Sequence, residues 1–144
     1  MNLILDQGNT LVKAAVFDNN ELCYKSSLEI SALEQELDLI QDRFPNIDHC
    51  IMASVGKRSE SVESLLSSRY RYFQLDQNTP VPFTNEYATP ATLGVDRIAL
   101  ASAAVMQFPK QNALIIDAGS CITYDFVTDA ADYLGGAIAP GIRM

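Results

Sequence analysis

The chain carries one short pattern twice. Set 111 residues apart, residues 3–18 (LILDQGNTLVKAAVFD) lie over residues 114–129 (LIIDAGSCITYDFVTD) with six identities in sixteen: Leu3/Leu114, Ile4/Ile115, Asp6/Asp117, Gly8/Gly119, Val16/Val127 and Asp18/Asp129. Each copy reads as an apolar strand, an Asp-x-Gly turn, a second apolar strand, an acidic turn and a third strand, the signature of an antiparallel meander. A repeated sheet-forming unit restricts the architecture more than any overall property of the chain, because the same three-stranded start must be built twice. The first copy continues into further elements, and the second stops at Met144 straight after Gly-Gly-Ala-Ile-Ala-Pro-Gly. The expected organisation is a first unit over residues 1–110 and the opening sheet of a second over 111–144.

Between the copies the pattern alternates helix and strand. Ser31 with Glu34 three residues on fits a capping box, and Leu33, Leu37 and Ile40 repeat at helical spacing until Pro45, so a helix is predicted over 31–43. A buried strand is predicted over 50–55, a helix over 59–68 and a strand over 70–75. Residues 76–92 are rich in Pro, Thr and Asn and lack periodicity, which marks a functional loop or a boundary. A helix over 93–108 follows, then strands over 113–117, 122–127 and 133–138. The sequence therefore predicts an α/β fold: a mixed sheet covered by the helices 31–43, 59–68 and 93–108, with its antiparallel strands extended in parallel by 50–55 and 70–75, and a partial second copy.

Composition narrows the functions. With 48% apolar and 19% charged residues the chain is neither disordered nor collagen-like. Eighteen acidic residues against ten basic ones leave a net charge of −8, so nucleic acid is not an expected partner. The longest apolar run is too short to span a bilayer, and the N-terminus MNLILDQGNT lacks the basic flank of a signal peptide. A cytoplasmic protein away from membranes is expected. Cys23, Cys50 and Cys121 are odd in number and far apart, His49 is the lone histidine, and neither a disulfide framework nor a zinc site is expected; all three thiols read as reduced and buried.

The turns carry the chemistry. In Asp6-Gln7-Gly8-Asn9-Thr10, with Lys13 beyond, Gly8 tolerates positive φ and lets a phosphate approach the backbone. Asn9 and Thr10 add donors, Lys13 adds a compact cation, and Asp6 can hold a metal-bound water; an ordinary Asp-Gly-Asn turn explains the same residues. Asp117-Ala118-Gly119-Ser120 repeats the turn with a hydroxyl, and two such turns facing one cleft can clamp a polyphosphate, each acid holding a cation that neutralises it. Walker A and Rossmann glycine patterns are absent from the sequence. Thr123 and Asp125 share a strand face, with Asp125 either supporting the site or solvated. In Tyr87-Ala-Thr-Pro-Ala-Thr-Leu-Gly94-Val95-Asp96-Arg97, Asp96 can accept a proton from an alcohol and Arg97 can hold a carboxylate or phosphate; dipole compensation at a helix start is the plainer reading.

Taken together, DQGNT with its lysine, Tyr87…LGVDR, and DAGSCITYD followed by YLGGAIAPGI resemble the type III pantothenate kinase family, of the actin-like (ribonuclease H-like) and sugar-kinase superfamily, across essentially all 144 residues. The resemblance implies ATP-dependent phosphorylation of pantothenate, the first step of coenzyme A synthesis, using ATP with Mg2+ and a monovalent cation, K+ or NH4+, in a homodimer. It implies that Asp6, Gln7, Gly8, Asn9, Thr10, Leu11, Val12, Lys13 and Ser120 bind ATP. By the same resemblance Tyr87, Gly94, Val95, Asp96 and Arg97 bind pantothenate, Asp96 is the proton acceptor, and Asp117 binds the cation. Ser120 stands where the family usually has Thr. Family members also continue well past this length, so residues 1–144 alone are expected to show negligible kinase activity. Their sheet should expose Ile122, Tyr124, Phe126 and Ile138 on one apolar face. The alternatives are an actin-like kinase for another small alcohol and a non-catalytic, nucleotide-binding regulatory homologue.

Overall fold

The computed structural model describes residues 1–55 and 59–141. The chain forms two compact units, Met1–Asp76 and Gln77–Met144. The repeat had placed the boundary at residue 110.

In the first unit the strands β1 (Asn2–Gln7), β2 (Val12–Asp18), β3 (Glu21–Leu28), β4 (His49–Ser54) and β5 (Arg71–Gln74) form one sheet in the order β3-β2-β1-β4-β5. β1, β2 and β3 pair antiparallel, and β4 and β5 extend the sheet in parallel, as the pattern predicted. Period-two alternation turns Leu3, Leu5, Val12, Ala14 and Val16 to one face. There they form the core with Leu33, Leu37 and Ile40 of α1 (Leu33–Arg43) and Leu66 of α2 (Glu60–Arg69). The capping box does not form. Residues Ile30–Ala32 make a 3-10 turn, Ala32 becomes the cap, and no side chain bonds the helix start. Of the predicted helix 59–68, Ser59 is the cap.

In the second unit β6 (Thr84–Asn85), β7 (Ala113–Ala118), β8 (Cys121–Val127) and β9 (Asp132–Pro140) form a sheet in the order β6-β9-β8-β7, with β6 parallel to β9 and the rest antiparallel. Two residues of the predicted loop thus become a strand. They are held by Thr84 N–H donating to the Ala131 carbonyl at 2.9 Å and Glu86 N–H to the Tyr133 carbonyl at 3.0 Å. The helix α3 (Val95–Gln107) packs on β7 and β8. This differs from the expectation that it would cover the first sheet.

The two meanders match in pairing detail. β1 and β7 correspond at an offset of 111, but Leu3 pairs with Val16 and Leu114 with Phe126, so β2 and β8 correspond at 110. The second turn is one residue shorter. Both ladders then carry a bulge at the equivalent place, between Val16 and Phe17 and between Phe126 and Val127. The third strands return to 111, with Leu22 pairing Phe17 and Tyr133 pairing Val127. The identities Val16/Val127 and Asp18/Asp129 are therefore not structural equivalents; the shared bulge is the better evidence of repetition.

Register also corrects the expected apolar face. Ile116 pairs with Tyr124 and Leu114 with Phe126, whereas Ile138 pairs with Thr123 and so lies on the opposite face. Leu114, Ile116, Tyr124 and Ile138 are exposed, and Ile122 and Phe126 are half-buried. The cysteines differ too: Cys50 is buried, Cys23 half-buried and Cys121 exposed, all free.

Candidate functional site

The first turn lies between β1 and β2. Gly8 N–H donates to the Leu11 carbonyl at 3.0 Å, and the register sets Asp6 opposite Lys13, whose Nζ lies 3.3 Å from Asp6 Oδ2. Asn9, Thr10, Leu11 and Lys13 are exposed, and Asp6, Gln7 and Gly8 are half-buried. Val12 is a core residue, so only its backbone could meet a ligand. Gln7 is tied to β4 through the Ser54 hydroxyl, which donates to its Oε1 at 3.2 Å. Gly8 does not take positive φ: among the described residues Gly135 is the one glycine that does. Its contribution to a phosphate site is therefore open backbone rather than a turn that only glycine could make.

The second turn sets Asp117 at the end of β7 opposite Thr123 on β8, with Asp117, Gly119 and Ser120 exposed. Thr123 Oγ1 is buried with no hydrogen-bond partner among the described residues. No group of three or more His, Cys, Asp or Glu among the described residues could hold a metal ion. Asp117 and Thr123 are register partners offering one carboxylate and one hydroxyl, too few acidic oxygens for a dedicated divalent site.

The third cluster gathers in the second unit. Gly94 caps α3 and Asp96 occupies its first turn. Asp96 Oδ1 accepts the N–H of Arg97 at 2.9 Å, where a carboxylate meets the favourable end of the helix dipole. A Cβ on Gly94 would fall 2.4 Å from that same oxygen, so glycine is needed for the carboxylate to fold over the helix start. Val95 points into the core.

Arg97 is the centre of the cluster. It is 5% exposed, and Asp125, at 1%, faces it from β8. Nε donates to both Asp125 oxygens at 3.1 Å and Nη2 to Oδ1 at 2.5 Å. The Tyr133 hydroxyl adds a 2.6 Å bond to Asp125 Oδ1. Tyr87, carried in by β6, sets its ring 5.4 Å from Arg97 Cζ, a cation–π distance. The Asp125 hydrogen bonds hold the Arg97 guanidinium above its ordinary pKa, and burial followed by the bond to Asp125 raises that of Tyr133. Sequence reasoning left Asp125 undecided and passed over Tyr133. An acid at an inward position of an alternating strand, between Thr123 and Val127, was the available signal.

A family model described as type III pantothenate kinase matches residues 2–144. The chain belongs to that family. Among curated type III pantothenate kinases, it is 49% identical to that of Christiangramia forsetii and 44% identical to that of Flavobacterium johnsoniae, in each case over the whole of this chain. It spans 59% of the length of each. Among solved structures it resembles a Campylobacter jejuni protein described as a Baf family transcriptional activator: 26% identity, TM-score 0.55, covering 98% of this chain and 55% of that one. It also shares a fold with a Porphyromonas gingivalis protein described as an N-acetylglucosamine kinase, at 10% identity and TM-score 0.54, covering 95% of this chain and 47% of that one. The expected actin-like and sugar-kinase architecture stands on that likeness. Tyr87, Asp96 and Arg97, the expected substrate residues of the type III family, lie in the second unit, and the Asp6 turn lies in the first.

Proposed function

We propose that the protein of which these residues are part phosphorylates pantothenate with ATP, yielding phosphopantothenate for coenzyme A synthesis. Membership of the type III pantothenate kinase family carries the reading, and the Asp96–Arg97–Tyr87 cluster supports it. Asp96 is the proton acceptor for the primary alcohol, and Arg97 meets the pantothenate carboxylate. The Asp6–Lys13 segment and Ser120 hold the ATP phosphates, and the exposed ammonium of Lys13 can reach an incoming anion while remaining near Asp6. Phosphoryl transfer asks mainly for placement and charge neutralisation. Mg2+ arriving with ATP supplies neutralisation at the phosphates, and Asp117 with Thr123 Oγ1 would hold the monovalent cation, K+ or NH4+.

The protein works as a cytoplasmic homodimer in this reading. Among the described residues no helix is long and apolar enough to cross a membrane. A net charge of −8 provides no footprint for a nucleic-acid backbone, so the transcriptional role named for the C. jejuni protein is not adopted.

The test is a phosphorylation assay with ATP, magnesium and potassium and a panel of pantothenate, sugars and small hydroxy acids. The 144-residue chain is assayed beside a full-length version. Turnover of pantothenate above the panel by the full-length protein is expected, with negligible turnover by residues 1–144. Preference for another alcohol would replace the substrate assignment, and equal turnover by both chains would show that residues 1–144 carry the whole site.

A further inference from the structure

The reading above uses Arg97 and leaves Asp125 without a task. We infer that Asp125 is a positioning residue that aims Arg97 at the substrate carboxylate, an inference that rests on the proposed pantothenate kinase activity. A guanidinium offers its donors in a planar fork. Asp125 takes the Nε and Nη2 edge, so the edge left for a second bidentate partner is Nη1–Nη2. Fixing one edge of a planar group fixes the direction of the other. The Tyr133 hydroxyl pins the Asp125 carboxylate, and the Tyr87 ring lies against the guanidinium. Rotamer freedom of Arg97 is thus lost on folding rather than on binding, which spares the substrate that ordering cost.

A second account would make Asp125 a mere charge balance for a buried cation. The two accounts predict opposite signs. Removing the Asp125 charge strengthens Coulomb attraction between Arg97 and an anionic substrate, and lowers KM if charge balance is all that Asp125 supplies. Loss of aim raises KM instead.

The experiment is steady-state kinetics on the full-length protein and its Asp125→Asn variant. Two substrates are used: pantothenate, and the matching alcohol in which a hydroxymethyl group replaces the carboxylate. For pantothenate KM should rise about 10-fold or more, the reach of one hydrogen bond to a charged group. KM for ATP, and KM for the uncharged alcohol, should stay within about two-fold of the unsubstituted protein. A lowered or unchanged KM for pantothenate, or an equal rise for both substrates, overturns the inference. Tyr133→Phe keeps the ion pair and removes one bond to Asp125, so it serves if Asp125→Asn does not fold. The same split between the two substrates, smaller in size, is expected of it, and its absence overturns the inference equally. Failure of the unsubstituted protein to phosphorylate pantothenate is a separate result: it removes the functional reading first, and this inference with it.

Discussion

Replacing Asp125 by Ala should destabilise the second unit severely. Arg97 is 5% exposed, so the substitution leaves a buried guanidinium without its counter-ion and a buried Tyr133 hydroxyl without its acceptor. Removing one partner of such a pair costs about 3–5 kcal/mol. At about 0.1 kcal/mol per residue, a segment the size of Gln77–Met144 commands on the order of 7 kcal/mol, so about half of its stability is at stake. Arg97→Met should cost somewhat less, because Tyr133 still donates to Asp125. The double variant Arg97→Met with Asp125→Leu should recover most of the loss, since apolar replacement of a buried pair is neutral or stabilising by about 1–4 kcal/mol. The two units need not unfold together, so amide hydrogen exchange within α3 and β8 is the appropriate measurement. If Asp125→Ala costs less than about 1 kcal/mol there, or if the double variant is as unstable as the sum of the singles, the reasoning from burial fails.

Three further outcomes follow from the structure. Asp96→Asn in the full-length protein should lower kcat about 100-fold or more, the usual reach of a general base, with KM for ATP little changed; near-normal kcat would remove Asp96 from that role. Gly136→Ala should not fold correctly, because its Cβ would fall 1.6 Å from the Tyr124 carbonyl oxygen, while Gly135→Ala pushes against the Tyr87 ring at 2.6 Å and at φ +90°; circular dichroism of both checks this. Burial pushes the Cys50 thiol from 9.0 up to about 12. At pH 8 an alkylating reagent should therefore label exposed Cys121 and spare Cys50. The unfolded chain loses the Cys50 proton above pH 9 while the native one keeps it, so this contribution to stability is intact below pH 9. It falls between about 9 and about 12, by up to about 1.4 kcal/mol per unit.

Strand and helix periods made most of the fold legible in the sequence. Leu3, Leu5 and Val12, or Leu33, Leu37 and Ile40, announce their buried faces through spacing alone, and both sets are core residues. What spacing does not hold is partnership. Nothing local to 93–108 says which sheet that helix covers, and an ungapped comparison cannot see that the second turn is one residue shorter. Ser31 satisfied a capping pattern, yet the chain enters α1 through a 3-10 turn instead. In the site, the glycine before Asp96 was visible as a helix start, but not the carboxylate folded over it. The tie of Asp125 to Arg97 spans 28 positions, and only tertiary structure brings the two together.

β8 alternates strictly, with Thr123, Asp125 and Val127 buried and Tyr124 outward. Its other face, with Ile122, Tyr124 and Phe126, is the more apolar of the two, so hydrophobicity alone does not favour the native pairing over one displaced by a single position, which would exchange the two faces. Such a slip would set Tyr124 or Phe126 against α3, leave Arg97 buried without a counter-ion, and turn Asp125 out among the apolar side chains of Leu114 and Ile116. The lost pair is a penalty that the mispaired chain cannot recover from packing. The buried acid therefore marks the correct alignment of a strand whose more apolar side is the one turned outward.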